Sequence, residues 1–472
     1  MTPMSQRTPH HYVPGPTYDE MADPTLLPAS VRQAAAAARA DELNPLNLFN
    51  INWMGSDDKP RFVVLPKCLT RTRANIVVML GRGFPSGSHK VGPAYATLAE
   101  SEVLGLVAPD MIMVGPSTGN FGIGTAYVSR LKDYPCLVVM PSGMSAERYE
   151  RIRKYGGDLD LTPGTEADVC LVLDRVMEIR KNPKLFVLAQ FELMPNYRFH
   201  RHVTGRACLE AVKGIGNGGV AAFVSAPGSA GTLAAGDAIK AAHPGARIVA
   251  VEPKECSTLY NAGTGQHRIE GIGDQMVVLI HNVALTDFVM TIHDDETVKG
   301  LKVLHDGVEV LRRTCGEGPW ECLAEVIGIS GICNILGAIR TDRHLNLNED
   351  DNIVTVATDG FDRYPSVMTD LERRLGMPIT ESMLEDWYGD IFQKYSADDF
   401  LDLRPATQQQ RLFAQKETVW TRYGYTREYL DEMRSQDFWE KEYGRVPEMN
   451  DRISEFRAQH GWSGEAPTEN DM

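Results

Sequence analysis

The chain has 472 residues, 43% of them hydrophobic and 24% charged, with a net charge of −15. This composition predicts a globular protein of two or three folding units, and the acidic balance argues against a nucleic acid or an anionic membrane as partner. No apolar stretch approaches the length of about 18 residues that a membrane span needs, and the N-terminus lacks a secretory signal pattern, so we expect a cytoplasmic protein.

Eight cysteines are scattered along the chain without a CxxC pair. This usage is typical of reduced thiols in a cytosolic protein. His200 and His202 flank Arg201, but side chains two residues apart do not share a helix face. We therefore expect no metal site.

In chain order, residues 1–60 are predicted to form an irregular N-terminal arm, with a short helix at Ala34–Ala40. From residue 61 to about 380, short apolar runs alternate with Gly/Ser turns and amphipathic stretches, which is typical of strands buried on both faces and separated by helices. The runs are Ile76–Leu80, Met111–Val114, Cys136–Met140, Leu185–Leu188, Ala221–Val224, Ile248–Val251 and Ile353–Val356. This alternation predicts an α/β catalytic core with mostly parallel sheets.

Residues 381–472 differ from the core because they are rich in Trp, Tyr and charged side chains and poor in β-branched ones. They predict a helical C-terminal extension. Such an extension either caps the core, holds a partner subunit or is a solvated appendage.

A lysine follows small and hydroxylated residues in Gly87-Ser88-His89-Lys90. A lysine amine can form a Schiff base with an aldehyde cofactor, although most lysines near glycines are simply solvated. Lys90 is therefore a candidate catalytic residue.

Two further loops are rich in Gly, Ser and Thr and follow predicted strands, at Ser117–Asn120 and at Gly228–Thr232. Backbone N–H groups at a strand-to-helix turn favour an anion, and in parallel sheets ligands bind beyond the carboxyl ends of strands. The second loop has the outline of a phosphate cradle without the lysine of a P-loop. The alternative for the first loop is a plain helix cap.

Together these motifs resemble the fold-type II pyridoxal-phosphate enzymes, the superfamily of cysteine synthase, cystathionine β-synthase, threonine deaminase and the tryptophan synthase β subunit. The similarity runs in order over roughly residues 65–370. The matching segments are Pro85–Lys90, Ser117–Gly124, Met140-Pro141, Met144-Ser145, Glu147-Arg148, Tyr155–Gly157, Leu161–Gly164, Phe191, Pro195-Asn196, His200 or His202, Thr204-Gly205, Gly228–Thr232, Val251–Pro253, Gly271–Gly273 and Gly328–Gly331.

The resemblance implies two three-layer αβα domains with twisted, mostly parallel sheets and an active site in the cleft between them. It implies a mobile small subdomain at roughly residues 120–195, a homodimer, a small amino acid as substrate and pyridoxal 5′-phosphate as cofactor. Lys90 would hold the cofactor as an internal aldimine and then remove the substrate α-proton.

Roles for the other site residues follow from the same resemblance. His89 would contact the cofactor phosphate and Asn120 the ring oxygen. The predicted phosphate loop consists of Gly228, Ser229, Ala230, Gly231 and Thr232. The predicted substrate-binding residues are Ser117, Thr118, Gly119, Asn120 and Asn196, and the loops Asn196–His202 and Gly271–Asp274 would set specificity.

Two departures from the family pattern stand out. Lys90-Val91-Gly92 replaces the usual Lys-Asp-Arg. Thr358-Asp359 falls where a hydroxyl usually contacts the pyridine nitrogen, so either Thr358 or Asp359 is the expected contact. A carboxylate there would keep the ring protonated, whereas a hydroxyl would not.

The resemblance favours β-elimination or β-replacement on a serine-, O-acylserine- or cysteine-like amino acid through an aminoacrylate, as in cysteine synthase. An ammonia-lyase or deaminase that releases a keto acid and ammonia is the alternative. A catalytically silent cofactor-binding subunit, or a nucleotide-binding protein with the same loops, is the third hypothesis. The intact residues around Lys90 argue against it.

Overall fold

The computed structural model describes residues 12–394, 399–462 and 464–465. The β-strands of these residues are β1 Phe62–Val64, β2 Asn75–Leu80, β3 Ile112–Pro116, β4 Cys136–Pro141, β5 Asp158–Thr162, β6 Leu185–Val187, β7 Ala222–Ser225, β8 Arg247–Pro253, β9 Phe288–Ile292, β10 Asn352–Ala357 and β11 Phe400–Asp402.

The α-helices of the same residues are α1 Tyr18–Ala22, α2 Ala29–Ala38, α3 Lys67–Thr70, α4 Val91–Val103, α5 Asn120–Leu131, α6 Ala146–Lys154, α7 Val169–Ile179, α8 Met194–Phe199, α9 Gly205–Ala211, α10 Leu233–Ala242, α11 Thr258–Asn261, α12 Asp294–Asp306, α13 Val308–Cys315, α14 Trp320–Val326, α15 Ile329–Leu345, α16 Pro365–Leu375, α17 Glu381–Tyr388, α18 Ala406–Trp420, α19 Arg427–Glu432, α20 Gln436–Tyr443 and α21 Val446–Gln459.

The strands form two sheets. The larger has the order β1-β2-β10-β7-β8-β9-β11, and the smaller has the order β5-β4-β3-β6. The strands of the smaller sheet are all parallel, and so are β2, β10, β7, β8 and β9 of the larger one, whereas β1 and β11 pair antiparallel at its edges. These mixed and parallel sheets with many helices confirm the predicted α/β fold.

All seven apolar runs of the sequence form strands. A strand whose two faces are both covered by helices needs apolar side chains on both faces, and a continuous run of Val, Ile and Leu is therefore typical of it. β9 was missed, although all five of its residues are buried. β5 was also missed. Its sequence Asp-Leu-Asp-Leu-Thr is mostly exposed or half-buried at the edge of the smaller sheet.

The N-terminal arm and the C-terminal extension pack against the core and against each other. The Tyr18 hydroxyl donates to Glu100 on α4 at 2.6 Å, and Arg457 on α21 forms an ion pair with Glu20 at 2.8 Å. Trp420 of the extension donates its indole N–H to the Val277 carbonyl at 2.9 Å. The predicted helix in the arm exists but begins earlier, at Ala29. The predicted helical extension is confirmed, with the unexpected addition of β11.

Of the described helices, no single one is long and apolar enough to cross a membrane. The bent pair α14 and α15 reaches that length and composition only when both helices are taken together, and most of α15 is buried.

Candidate active site

Four loops meet at the carboxyl ends of parallel strands. They follow β2, β3, β7 and β10, as expected for a ligand site in a sheet of this kind. The cavity between them is lined by Lys90, Ser117, Thr118, Gly119, Asn120, Phe121, Gln190, Phe191, Gly228, Ser229, Gly271, Asp274, Ser330 and Thr358. Lys90 and the two predicted loops, Ser117–Asn120 and Gly228–Thr232, are thus brought to one place.

Lys90 is buried and immediately precedes α4. Its Nζ lies 3.3 Å from the Ser229 hydroxyl, on the predicted phosphate loop. Burial lowers the pKa of Lys90 to about 8, while the acidic groups of Asp274 and Glu166 act in the opposite direction. A substantial neutral fraction of the amine near neutral pH is what attack on an aldehyde carbon requires.

The loop Gly228–Thr232 precedes the ten-residue helix α10. A Cβ atom at Gly228 would lie 2.5 Å from the Gly271 carbonyl oxygen, and one at Gly231 would overlap the side chain of Asn196. Only glycine therefore lets the neighbouring backbone and side chains approach this loop. The loop runs directly into the N-terminus of α10, whose dipole favours an anion, so the cradle fits a phosphate.

Buried polar atoms without a hydrogen-bond partner among the described residues surround this cradle. They include both ring nitrogens of His89, Nε2 of His200 and Oδ1 of Asn196. The His89 and His200 rings lie edge to face, with centroids 5.1 Å apart. Burial keeps the pKa of each histidine well below its ordinary value, with smaller contributions from neighbouring positive groups. A phosphate would give neutral histidine N–H groups the acceptor that they lack.

Hydrogen bonds behind His200 favour one of its tautomers. Trp53 donates its indole N–H to the Thr204 hydroxyl oxygen at 2.9 Å, and that oxygen lies 2.9 Å from Nδ1 of His200. The hydroxyl can then donate its own proton to Nδ1, which leaves the ring proton on Nε2. His202 does not share this site, because its Nε2 lies 2.7 Å from Asp19.

The first loop is held from the side of the smaller sheet. The Ser117 hydroxyl oxygen accepts a hydrogen bond from the Gly119 N–H at 2.9 Å, and Arg148 donates to the Thr118 carbonyl at 2.8 Å. The Thr118 hydroxyl donates to Glu166. Arg148 is fully buried and pairs with Glu270 at 2.8 Å, so a cation lies directly behind the loop predicted to bind a carboxylate.

The sequence profile of the family described as "Pyridoxal-phosphate dependent enzyme" matches residues 65–359. The chain belongs to this family. It is therefore a pyridoxal-phosphate-dependent enzyme, and the cleft around Lys90 fits that cofactor on the geometry given above.

Relatives of this pyridoxal-phosphate enzyme include a protein named cysteine synthase from Staphylococcus aureus. It is 30% identical over 294 residues, which cover 62% of this chain and 88% of the relative. Among solved structures, a hydrogen sulfide-producing enzyme from Fusobacterium nucleatum has a TM-score of 0.57 and 25% identity, covering 66% of this chain and 98% of that one. An O-acetyl serine sulfhydrylase from Entamoeba histolytica has a TM-score of 0.58 and 26% identity, covering 73% and 96%.

The side chain of Asn120 is part of a buried hydrogen-bond network. Its amide N–H donates to Asp359 at 2.6 Å, and its oxygen accepts from Arg363 at 2.7 Å. Tyr364 also donates to Asp359, at 2.8 Å. Thr358 lines the cavity, whereas Asp359 lies behind it. Of the two expected contacts to the pyridine nitrogen, the structure brings Thr358 to the site.

Asn196, predicted to bind substrate, supports the phosphate loop from behind. Its amide donates to the Ser229 hydroxyl at 2.9 Å and to the Gln190 carbonyl at 2.8 Å, and the residue is fully buried. It does not line the cavity. A contact between Asn196 and the substrate thus stays a prediction.

Sequence reasoning missed several residues of the site. Ser330 lines the cavity beside Thr358, and the Gly328–Gly331 segment was recognised without this hydroxyl being assigned a role. Glu166 and Glu270 gave no local signal, because only the fold brings them to Arg148. Burial raises the pKa of Glu166 to about 8 against the effect of Arg148.

Among the described residues, no group of acidic, histidine or cysteine side chains could hold a metal ion.

Proposed function

We propose that this enzyme catalyses β-elimination or β-replacement on a small amino acid with a serine-, O-acylserine- or cysteine-like side chain. The observation that carries the proposal is the position of the Lys90 amine, 3.3 Å from Ser229 on the phosphate cradle and in one cavity with Ser117–Asn120. The cysteine synthase relative supports the same chemistry.

The residues that would hold the cofactor surround the cavity. Gly228, Ser229, Ala230, Gly231 and Thr232 would bind the phosphate, with His89 and His200 as additional donors. Lys90 would bind the aldehyde carbon covalently. Asn120 would contact the ring oxygen, and the Thr358 and Ser330 hydroxyls are the candidates for the ring nitrogen.

The chain itself would position the substrate and move its protons. Ser117, Thr118 and Gly119 would bind the substrate carboxylate, and the buried Arg148, paired with Glu270, would hold this loop in position through the Thr118 carbonyl. The Lys90 amine would take the α-proton, for which a base with a pKa near neutrality is well suited. When bound, the cofactor supplies an electron sink that makes this proton acidic.

Residues 120–195 would act as a small subdomain that closes over the site. Ser145 donates from its backbone N–H and its hydroxyl to Glu270, both at 2.9 Å, and Ser366 donates its N–H to Glu147 at 2.9 Å. Closure of this kind excludes water and protects a reactive bound substrate. A homodimer and a cytoplasmic location also belong to this proposal.

The experiment is a substrate panel with the cofactor-loaded enzyme. O-acetylserine, serine, cysteine and diaminopropionate are each supplied with and without sulfide or homocysteine, and the amino-acid product, pyruvate and ammonia are measured. A new β-substituted amino acid supports replacement. Pyruvate and ammonia from serine or diaminopropionate, unaffected by any added nucleophile, would instead identify a deaminase.

A further inference from the structure

One acidic residue of the cavity, Asp274, has no part in the reaction described so far. Its carboxyl group is buried in the cavity that also holds Lys90, and Oδ2 has no hydrogen-bond partner among the described residues. Its backbone is fixed, because the Thr258 hydroxyl donates to the Asp274 carbonyl at 3.1 Å and the Gly273 N–H donates to Pro227 at 3.1 Å. A buried carboxyl group that is held in place while one of its oxygens has no partner is costly and needs an explanation.

The surroundings of Asp274 allow its carboxyl group to gain and lose a proton instead of staying ionised. Burial raises the pKa of Asp274 to about 7, and the neighbouring Lys90 acts in the opposite direction. Glu166, Cys170 and Cys256 are the other titratable groups whose charges interact with it. An acid with a pKa near the working pH can give and take a proton with similar ease.

We propose that Asp274 is a catalytic residue that exchanges a proton with the group leaving or entering at the substrate β-carbon. This inference rests on the proposed β-elimination or β-replacement. When Lys90 takes the α-proton, the electron pair of that C–H bond moves into the bond between the α- and β-carbons. The leaving group departs with its own bonding pair and takes the proton of Asp274.

The second half of the reaction reverses these movements. A neutral nucleophile forms its bond to the β-carbon and gives its proton to the Asp274 carboxylate, while Lys90 returns a proton to the α-carbon. Over one cycle Asp274 is regenerated, and the only net products are the new amino acid and the protonated leaving group.

The inference also narrows the substrate class. A leaving thiol or hydroxyl group needs a proton, whereas acetate or chloride does not. A carboxylate beside the β-carbon also disfavours an anion such as hydrogensulfide and favours a neutral nucleophile such as water or a thiol. The site therefore suits amino acids with a β-thiol or β-hydroxyl group better than O-acylated ones.

The test is Asp274→Asn, which keeps the shape of the side chain but cannot carry the proton. In the loaded enzyme, kcat/KM for cysteine and serine should fall by about 100-fold or more, whereas elimination from O-acetylserine and β-chloroalanine should change by less than about threefold. The matched control is Asp237→Asn. Asp237 is also buried with a raised pKa, but it is bound by Tyr197 and Asn282 outside the cavity.

An equal loss of kcat/KM with all four substrates would show a merely structural role and overturn the inference. Unchanged kcat/KM with all four substrates would overturn it as well. Infrared spectroscopy gives a readout independent of turnover. The cofactor-free wild type should show a carboxylic-acid C=O band that Asp274→Asn lacks. This band should disappear as the pH rises through about 7, the raised pKa of Asp274. Disappearance near the ordinary aspartate value of about 4 contradicts the inference. A loaded wild type that acts on none of the four substrates defeats the proposed function as well.

Discussion

Asn120 and Asp359 join two of the loops that form the active site. The Asn120 amide donates to Asp359 at 2.6 Å and so links the loop after β3, in the smaller sheet, to the loop after β10, in the larger one. Arg363 and Asp359 are both fully buried, so the orientation of the amide is determined by protein side chains alone. This network holds the cleft together at the point where the two sheets meet.

Asp359→Asn should therefore destabilise the protein. The amide oxygen can still accept from Asn120 and Tyr364, which both donate to Oδ2, but the substitution removes the negative charge 3.8 Å from Arg363. It also puts an NH2 group in place of Oδ1, which has no hydrogen-bond partner among the described residues, and an unsatisfied buried group costs about 1–3 kcal/mol. Urea unfolding measures the change in the free energy of unfolding. The surface variant Asp370→Asn, which loses only half-exposed pairs with Arg373 and Arg374, should lose less than about 1 kcal/mol. A stable Asp359→Asn protein with an altered cofactor absorption band would instead indicate that Asp359 contacts the ring.

Gly231→Ala tests the phosphate cradle. The added methyl group would overlap Asn196 and lie 2.7 Å from Cδ2 of His200, so the loop must move away from its phosphate-binding position. We expect the Kd for pyridoxal phosphate to rise by at least about tenfold, which corresponds to about 1.4 kcal/mol. Gly245→Ala is the control, because a methyl group there meets nothing within 4 Å. Equal affinity of the two variants would place the phosphate elsewhere.

The lowered pKa of Lys90 predicts how the cofactor-free protein responds to pH. Burial brings this pKa to about 8, and only the neutral amine attacks an aldehyde. The rate constant for covalent capture of pyridoxal phosphate should rise as the pH increases through about 8 and level off above it. Stopped-flow absorbance provides the measurement. A midpoint near the ordinary lysine value of about 10.4 is the contrary result.

The Trp53–Thr204–His200 chain predicts that His200 carries its ring proton on Nε2. Nitrogen-15 NMR distinguishes the two tautomers directly. In Trp53→Phe the Thr204 oxygen loses its donor, so we expect a mixture of tautomers and a several-fold weaker binding of inorganic phosphate or cofactor. A wild-type signal from the Nδ1-protonated form would contradict this assignment.

The sequence contained the signals for the strands and loops of the cleft, because buried strands need continuous apolar runs and anion-binding turns need Gly, Ser and Thr. The fold class, the cofactor and the convergence of Lys90 with the two Gly/Ser/Thr loops could thus be predicted. The network of Arg148 with Glu166 and Glu270 could not, because its members are far apart in the chain. Their pairing depends on how the two sheets pack against each other.

The sequence also left open which of two adjacent residues after β10 faces the cavity. Thr358 and Asp359 are adjacent and both polar, so the sequence cannot tell which one faces the cavity. Both residues lie beyond the last residue of β10, where no strand alternation fixes the direction of a side chain, so only the folded structure shows that Thr358 lines the cavity. Ser330 was missed because a serine at the start of a helix is ordinary in any protein.

Borohydride reduction of the cofactor-loaded enzyme, followed by peptide mass spectrometry, tests the central claim most directly. We predict a yellow protein whose visible band is lost on reduction, with one reduced pyridoxal-phosphate adduct on the peptide that contains Lys90 and none in Lys90→Ala. A colourless protein, or an adduct on another lysine such as Lys416, would contradict the assignment of this cleft as the active site.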